Sequence, residues 1–78
     1  MARQKQYRDN EVVTKLGNKI REIRLQKGLS QEQLANLCDL ELSQINRIEL
    51  GKINTSVSHL FLIATNLEIE VVDLVKLK

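Results

Sequence analysis

Gly28-Leu29-Ser30-Gln31-Glu32-Gln33-Leu34-Ala35-Asn36-Leu37-Cys38-Asp39-Leu40-Glu41-Leu42-Ser43-Gln44-Ile45-Asn46-Arg47-Ile48-Glu49-Leu50-Gly51 is the stretch on which the fold turns. Ser30 with Gln33 three residues on has the pattern of a capping box, so a helix is expected from Gln31 to about Cys38. Leu34 and Ala35 are its buried positions, with Leu37 and Cys38 as further candidates. Asp39-Leu40 forms the turn, and Asp tolerates left-handed backbone better than most residues, at some cost. Glu41 then occupies the N-cap of a second helix, where Ser, Thr or Asp would cap more strongly. That helix is expected from Leu42 to about Leu50, with Ile45 and Ile48 inward and Gly51 ending it.

Its outward positions are Leu42, Ser43, Gln44, Asn46, Arg47 and Leu50. Arg47 lies four residues after Ser43 and three after Gln44, so the three share a direction. Gln pairs with adenine edges, Arg with guanine and Ser with either, while a Leu at position 42 meets a thymine methyl group. A helix with these properties fits a DNA major groove. An ordinary solvent-facing helix has the same pattern, and only the surroundings separate the two.

Upstream, Val13, Leu16, Ile20 and Ile23 recur at helical spacing, which predicts an amphipathic helix over roughly 10–27. Asn10 or Asp9 is its candidate cap, and Gly28 sits just past its end. Downstream, residues 52–55 read as a loop and Ser56 caps a fourth helix whose face carries Val57, Leu60, Ile63, Ala64 and Leu67. Glu70 caps a short fifth helix with Val71, Leu74 and Val75 as apolar positions; the alternation across residues 67–75 fits a strand as well. Residues 1–9 lack periodicity and read as a flexible basic arm preceding a domain at 10–78. Arg3, Lys5 and Arg8 suit wrapping of DNA or a minor-groove contact, and equally a solubilising tail.

Seventy-eight residues make one domain, and a chain of this size buries only ~60% of its unfolded surface, so dimerisation would help stability. The composition, 42% hydrophobic and 28% charged, is ordinary for a globular protein. No apolar run reaches ~18 residues, and no signal-peptide core is present, so neither a membrane span nor export is expected. Cys38 is the single cysteine, which excludes an internal disulfide and points to the cytoplasm. Net charge is +2, but unevenly placed: residues 1–27 hold eight Lys/Arg against three acids, and residues 28–78 hold four against seven. Such asymmetry suits a polyanion partner for one end, or a solvated helix face.

Cys38 is expected as a small buried apolar residue, and His59, the one histidine, as a surface residue on the outer face of the fourth helix. Without a Cys/His cluster, a Ser/His/Asp set or a glycine-rich phosphate loop, no metal, cofactor or enzymatic activity is expected.

Ser30-Gln31-Glu32-Gln33-Leu34-Ala35, followed by Ile45 and then Arg47-Ile48-Glu49-Leu50-Gly51-Lys52, resembles the Cro/Xre family of phage-repressor-like helix-turn-helix proteins. Ile20-Arg21-Glu22-Ile23-Arg24-Leu25-Gln26-Lys27-Gly28 is similar to that family's first helix, and Leu60, Ile63, Ala64 and Leu67 to its fourth. The resemblance spans about residues 12–75 and implies an all-α fold of five helices. It also implies a transcriptional regulator that binds double-stranded DNA, at a pseudo-palindromic operator, as a homodimer.

By position, the resemblance implies base reading by Leu42, Ser43, Gln44 and Arg47, with Asn46 at the edge, and Gln44 and Arg47 foremost. Gln31, Lys52 and Asn54 match backbone-contacting positions. Arg24 and Glu49 match a structural ion pair tying the first helix to the end of the third. Asp39 and Glu41 depart from the pattern by placing acids near the DNA backbone. Glu68 departs too, standing where the family commonly has Gly, so an irregular last turn is expected there.

The apolar surplus of the last two helices, namely Phe61, Leu62, Ile69, Val72, Val75 and Leu77, suits a two-fold dimer interface; overpacking within one subunit is the other outlet. The small size resembles restriction–modification controllers and Cro-type switches. The rival from another class is a protein–protein adaptor or antitoxin on the same fold. Activation would require contact with RNA polymerase, and an antitoxin role contact with a toxin.

Overall fold

A computed structural model describes residues 10–53 and 55–76. The chain forms five helices: α1 Asn10–Gln26, α2 Gln31–Cys38, α3 Leu42–Glu49, α4 Val57–Leu67 and α5 Val71–Val75. The arm residues Arg3, Lys5 and Arg8, the candidate cap Asp9, the candidate contact Asn54 and the apolar Leu77 lie outside the described residues. Asn10 is the first helical residue of α1, not its cap.

Each helix starts and stops where local chemistry directs it. The Ser30 hydroxyl accepts from the Gln33 N–H at 3.0 Å, and Gln33 Oε1 accepts from the Ser30 N–H at 2.8 Å, closing the capping box of α2. The Ser56 hydroxyl accepts from the His59 N–H at 3.1 Å and starts α4. Asp73 Oδ2 accepts from the Glu70 N–H at 3.0 Å and starts α5.

The first four helices all end in the same way. Gly28, Asp39, Gly51 and Glu68 each take a left-handed conformation, with φ of 76°, 59°, 73° and 63°. In each case the next residue's N–H reaches back to close the last turn: Leu29 to Arg24, Leu40 to Ala35, Lys52 to Arg47 and Ile69 to Ala64, at 2.9–3.1 Å. This is the Schellman closure, which glycine adopts without penalty and other L-residues adopt at a cost. The last turn of α4 is therefore regular. The irregularity expected from Glu68 does not occur, because the carboxylate residue takes the backbone shape a glycine would.

Ile20, Leu34, Ile45, Ile63, Leu67 and Leu74 are completely enclosed, so every helix contributes to one core. α3 packs on α1 and α2, α4 on α2 and α5, and α5 on α1. Residues 71–75 are helical, and the strand alternative is overturned: α4 runs through Leu67, Glu68 closes it, and in α5 Leu74 alone is fully buried instead of every second residue.

Leu37 and Val57, expected on buried faces, are exposed, and so is Val75, which is also a candidate for the dimer surface. Leu37 is 52% exposed because the buried arc of α2 runs through Leu34, Ala35 and Cys38, and Leu37 stands about 100° around the helix from its centre. Val57 occupies the open end of the α4 stripe, and Val75 turns away from the one inward position of α5, which Leu74 takes. His59, expected at the surface, is half-buried.

Candidate nucleic-acid interface

α3 is the element that the rest of the fold presents. Ile45 and Ile48 seal its inner side, while Leu42, Ser43, Asn46, Arg47 and Leu50 are exposed on the other. These five fall at i, i+3 and i+4 spacings, so they form one continuous stripe. With eight residues, α3 is too short to be stable as an isolated helix. Contacts at its rear and its ends hold it.

Gly17 makes the first contact. A Cβ on this residue would collide with the Ile48 carbonyl oxygen and stand 2.6 Å from that of Glu49. Only glycine lets α1 approach the end of α3 so closely. The sequence reading gave Gly17 no role; its signal was an isolated glycine inside a helical pattern.

The second contact is ionic. Arg24 Nε donates to Glu49 Oε2 at 2.7 Å and Nη2 donates to Oε1 at 2.9 Å, with both side chains buried. Arg24 Nη1 donates to the Leu29 carbonyl at 2.7 Å, so the same guanidinium also ties down the loop before α2. Two parallel bonds match the planar fork of arginine to the carboxylate. The Glu49 charge is thereby neutralised behind α3 and kept off its outer face.

Gln31 extends this network to the surface. Its Nε2 donates to Glu49 Oε1 at 2.9 Å, and its Oε1 accepts from Asn46 Nδ2 at 3.3 Å. The first residue of α2 is thus joined to the exposed stripe of α3, a link the sequence reading missed. Lys52 is exposed just after the α3 closure.

Gln44 stands apart from the other outward candidates. It is half-buried, and its Oε1 accepts from the Glu41 N–H at 3.2 Å. Adenine recognition needs both ends of the amide, so this side chain must release the helix cap before it can read a base. Asp39 and Glu41 are exposed in the turn. Cys38 is buried against the Leu62 carbonyl, and burial pushes its thiol above the ordinary value of 9.0. Among the described residues no group of three His, Cys, Asp or Glu side chains gathers in metal-binding geometry.

Two short helices joined by a tight left-handed turn, the second braced from behind with a polar stripe outward, define a helix-turn-helix domain. The chain belongs to the helix-turn-helix family HTH_3, whose profile matches residues 20–74, and is a DNA-binding transcriptional regulator. It is 39% identical over 66 residues to the control protein C.BamHI of Bacillus amyloliquefaciens, covering 83% of this chain and 82% of that one. It is similar to the crystal structure of the restriction-modification controller protein C.AhdI from Aeromonas hydrophila, with 42% identity, a TM-score of 0.78, and coverage of 80% of this chain and 94% of that one. The clp gene regulator ClgR from C. glutamicum shares the fold, with 23% identity, a TM-score of 0.80 and coverage of 82% of each chain. No helix among the described residues is long and apolar enough to cross a membrane.

Proposed function

We propose that the chain binds a pseudo-palindromic operator as a homodimer and controls transcription of a restriction–modification locus in the cytoplasm. The observation that carries this reading is the stripe of Leu42, Ser43, Asn46 and Arg47, exposed on a helix whose opposite side is fully sealed. Arg47 leads as guanine reader, Ser43 and Leu42 read beside it, and Asn46 reads at the edge. Gln44 contributes only after giving up its bond to Glu41. Gln31 and Lys52 hold the DNA backbone, with Asn54 as a third contact. The controller role follows from the similarity to two such proteins. No catalytic step enters this reading.

The dimer is supported by apolar surface on α4 and α5, the two helices that do not pack closely on α3. Phe61 and Val72 are more than half exposed, Val75 nearly so, and Leu62 is half-buried, whereas Ile69, the other candidate for this surface, lines the cleft between α1 and α5. A two-fold axis through this surface sets the two α3 helices roughly 34 Å apart, one turn of DNA.

The test is selection of bound duplexes from a random pool, followed by titration at several salt concentrations. Recovered sites are expected to show dyad symmetry, and affinity to fall with a slope of about −0.9 per phosphate neutralised. Sites without symmetry would refute the dimer. Salt-insensitive affinity would favour instead an adaptor with the exposed acids Asp39 and Glu41 facing a protein.

A further inference from the structure

α1 and α5 pack against each other and leave an open groove of about 680 Å³ between them. One wall is Lys19, Ile23 and Lys27 from α1 and its end; the other is Ile69 and Lys76 from the flanks of α5. The floor is apolar: Ile23 is buried and Ile69 half-buried. Among the described residues, none of the three lysines lies within salt-bridge distance of a carboxylate. Asp73 also lines the groove and keeps its charge while its Oδ2 accepts from the Glu70 N–H at the start of α5, so the lining carries three cations against one anion. The groove thus pairs an apolar base with a rim of net positive charge.

Its position matters as much as its chemistry. Lys19, Ile23 and Gln26 fall on the side of α1 turned away from Gly17, where α3 packs. A ligand seated in the groove therefore approaches from the opposite side of α1 to the DNA-reading stripe, and both surfaces can be occupied at once.

We propose that this groove docks an acidic amphipathic segment of a partner protein, with apolar side chains on Ile23 and Ile69 and carboxylates on Lys19, Lys27 and Lys76. The charge is what selects the occupant. A purely apolar segment would leave the three ammonium groups beside a low-dielectric surface without partners, and a basic one would be repelled. An acidic one gains on both counts, and its binding weakens with salt. The site goes beyond DNA binding: it gives the regulator a face through which a protein can be recruited while the operator is held.

The experiment uses the full chain, isotope-labelled, titrated with a synthetic amphipathic helix of Glu and Leu and with the same peptide carrying Gln for Glu. The acidic peptide is expected to shift the amide signals of Lys19, Ile23, Lys27, Ile69 and Lys76. Its affinity should exceed that of the Gln peptide by at least tenfold, and should fall by at least tenfold in K27E/K76E. Both positions are exposed, and a thermal melt of the variant verifies folding, with K27Q/K76Q as a milder second variant. Equal binding of the two peptides, or shifts confined to Phe61 and Val72, would overturn the proposal. Displacement of the acidic peptide by duplex DNA would make the groove a phosphate site, and dissociation of a dimer in K27E/K76E would make it a seat for a second copy; either result refutes it.

Discussion

Arg24→Ala is the substitution that tests most directly how the reading helix is held. In the folded chain Arg24 and Glu49 are 5% and 3% exposed. Truncating the arginine removes both bonds to Glu49 and the bond to the Leu29 carbonyl. Glu49 is left buried, with only the Gln31 amide as partner. Breaking a buried, hydrogen-bonded ion pair from one side costs ~3–5 kcal/mol. A domain of this size has a total stability of roughly 5–15 kcal/mol. Each kcal/mol moves the midpoint of a small domain by about 4–8 °C, so the melting temperature should fall by at least about 12 °C in circular dichroism.

The double replacement Arg24→Leu with Glu49→Leu separates two explanations. If the loss comes from stranding a charge, removing both charges restores most of the stability, since apolar replacements of buried pairs are often neutral or better. If the pair were itself strongly stabilising, the double variant would be as poor as the single one. A fall of less than about 4 °C in Arg24→Ala, equivalent to ~1 kcal/mol, would refute the reasoning altogether.

Gly17→Ala should destabilise by ~1–3 kcal/mol, the range for overpacking, because the new methyl group meets backbone oxygens of Ile48 and Glu49. The sign is diagnostic: in an uncrowded helix interior the same change stabilises by about 1 kcal/mol, so a raised melting temperature would show that α1 and α3 are not in close contact. Glu68→Gly should raise stability by about 1 kcal/mol, since the left-handed closure of α4 then carries no Cβ. Asp39→Gly should gain less, because Asp enters that conformation more readily; equal or reversed gains in a melt would contradict this. Burial raises the pKa of the Cys38 thiol, partly offset by the Asn66 side chain. The folded thiol stays neutral at a pH where the unfolded one ionises, so its stabilising contribution is full below the ordinary thiol pKa of 9.0 and is lost as the pH climbs from there through the raised pKa of the folded thiol. Melts of Cys38→Ala above pH ~9 should therefore decline less steeply than those of the parent chain, and parallel curves would count against burial as the cause.

What could be read from the sequence were the features set by neighbours in the chain. Ser30 with Gln33, Ser56, and the left-handed Asp39 are local devices, and they placed the helix ends within a residue or two. Gly17 was opaque because its role depends on two backbone oxygens some thirty residues away. Leu37 and Val57 were misplaced for a related reason. A short helix with several apolar residues has more than one candidate inner face, and only the neighbouring helices choose between them. The link from Gln31 to Asn46 likewise needs the spacing of α2 and α3, which no pattern along the chain records.

Gln44 marks where local reading pulled in two directions. Three residues after the N-cap Glu41 it meets the same rule that identified Gln33, yet it also lies among the outward residues of α3. This separates its expected behaviour from that of Arg47. Arg47 is exposed and its side chain takes no part in the bonds that hold α3, so Arg47→Ala should leave the stability within the ±0.5 kcal/mol typical of surface changes. On DNA it should cost ~1–3 kcal/mol of discrimination between operator and random duplex. Gln44→Ala should do the reverse, losing a helix-cap bond worth ~0.5–1.5 kcal/mol in the melt while changing discrimination little. Gln44→Glu, which can still accept from the Glu41 N–H, should restore the melt. If Gln44→Ala instead melts like the parent chain and loses sequence discrimination, the side chain has left the cap for the groove, and the division between residues that hold α3 and residues that read with it fails at this position.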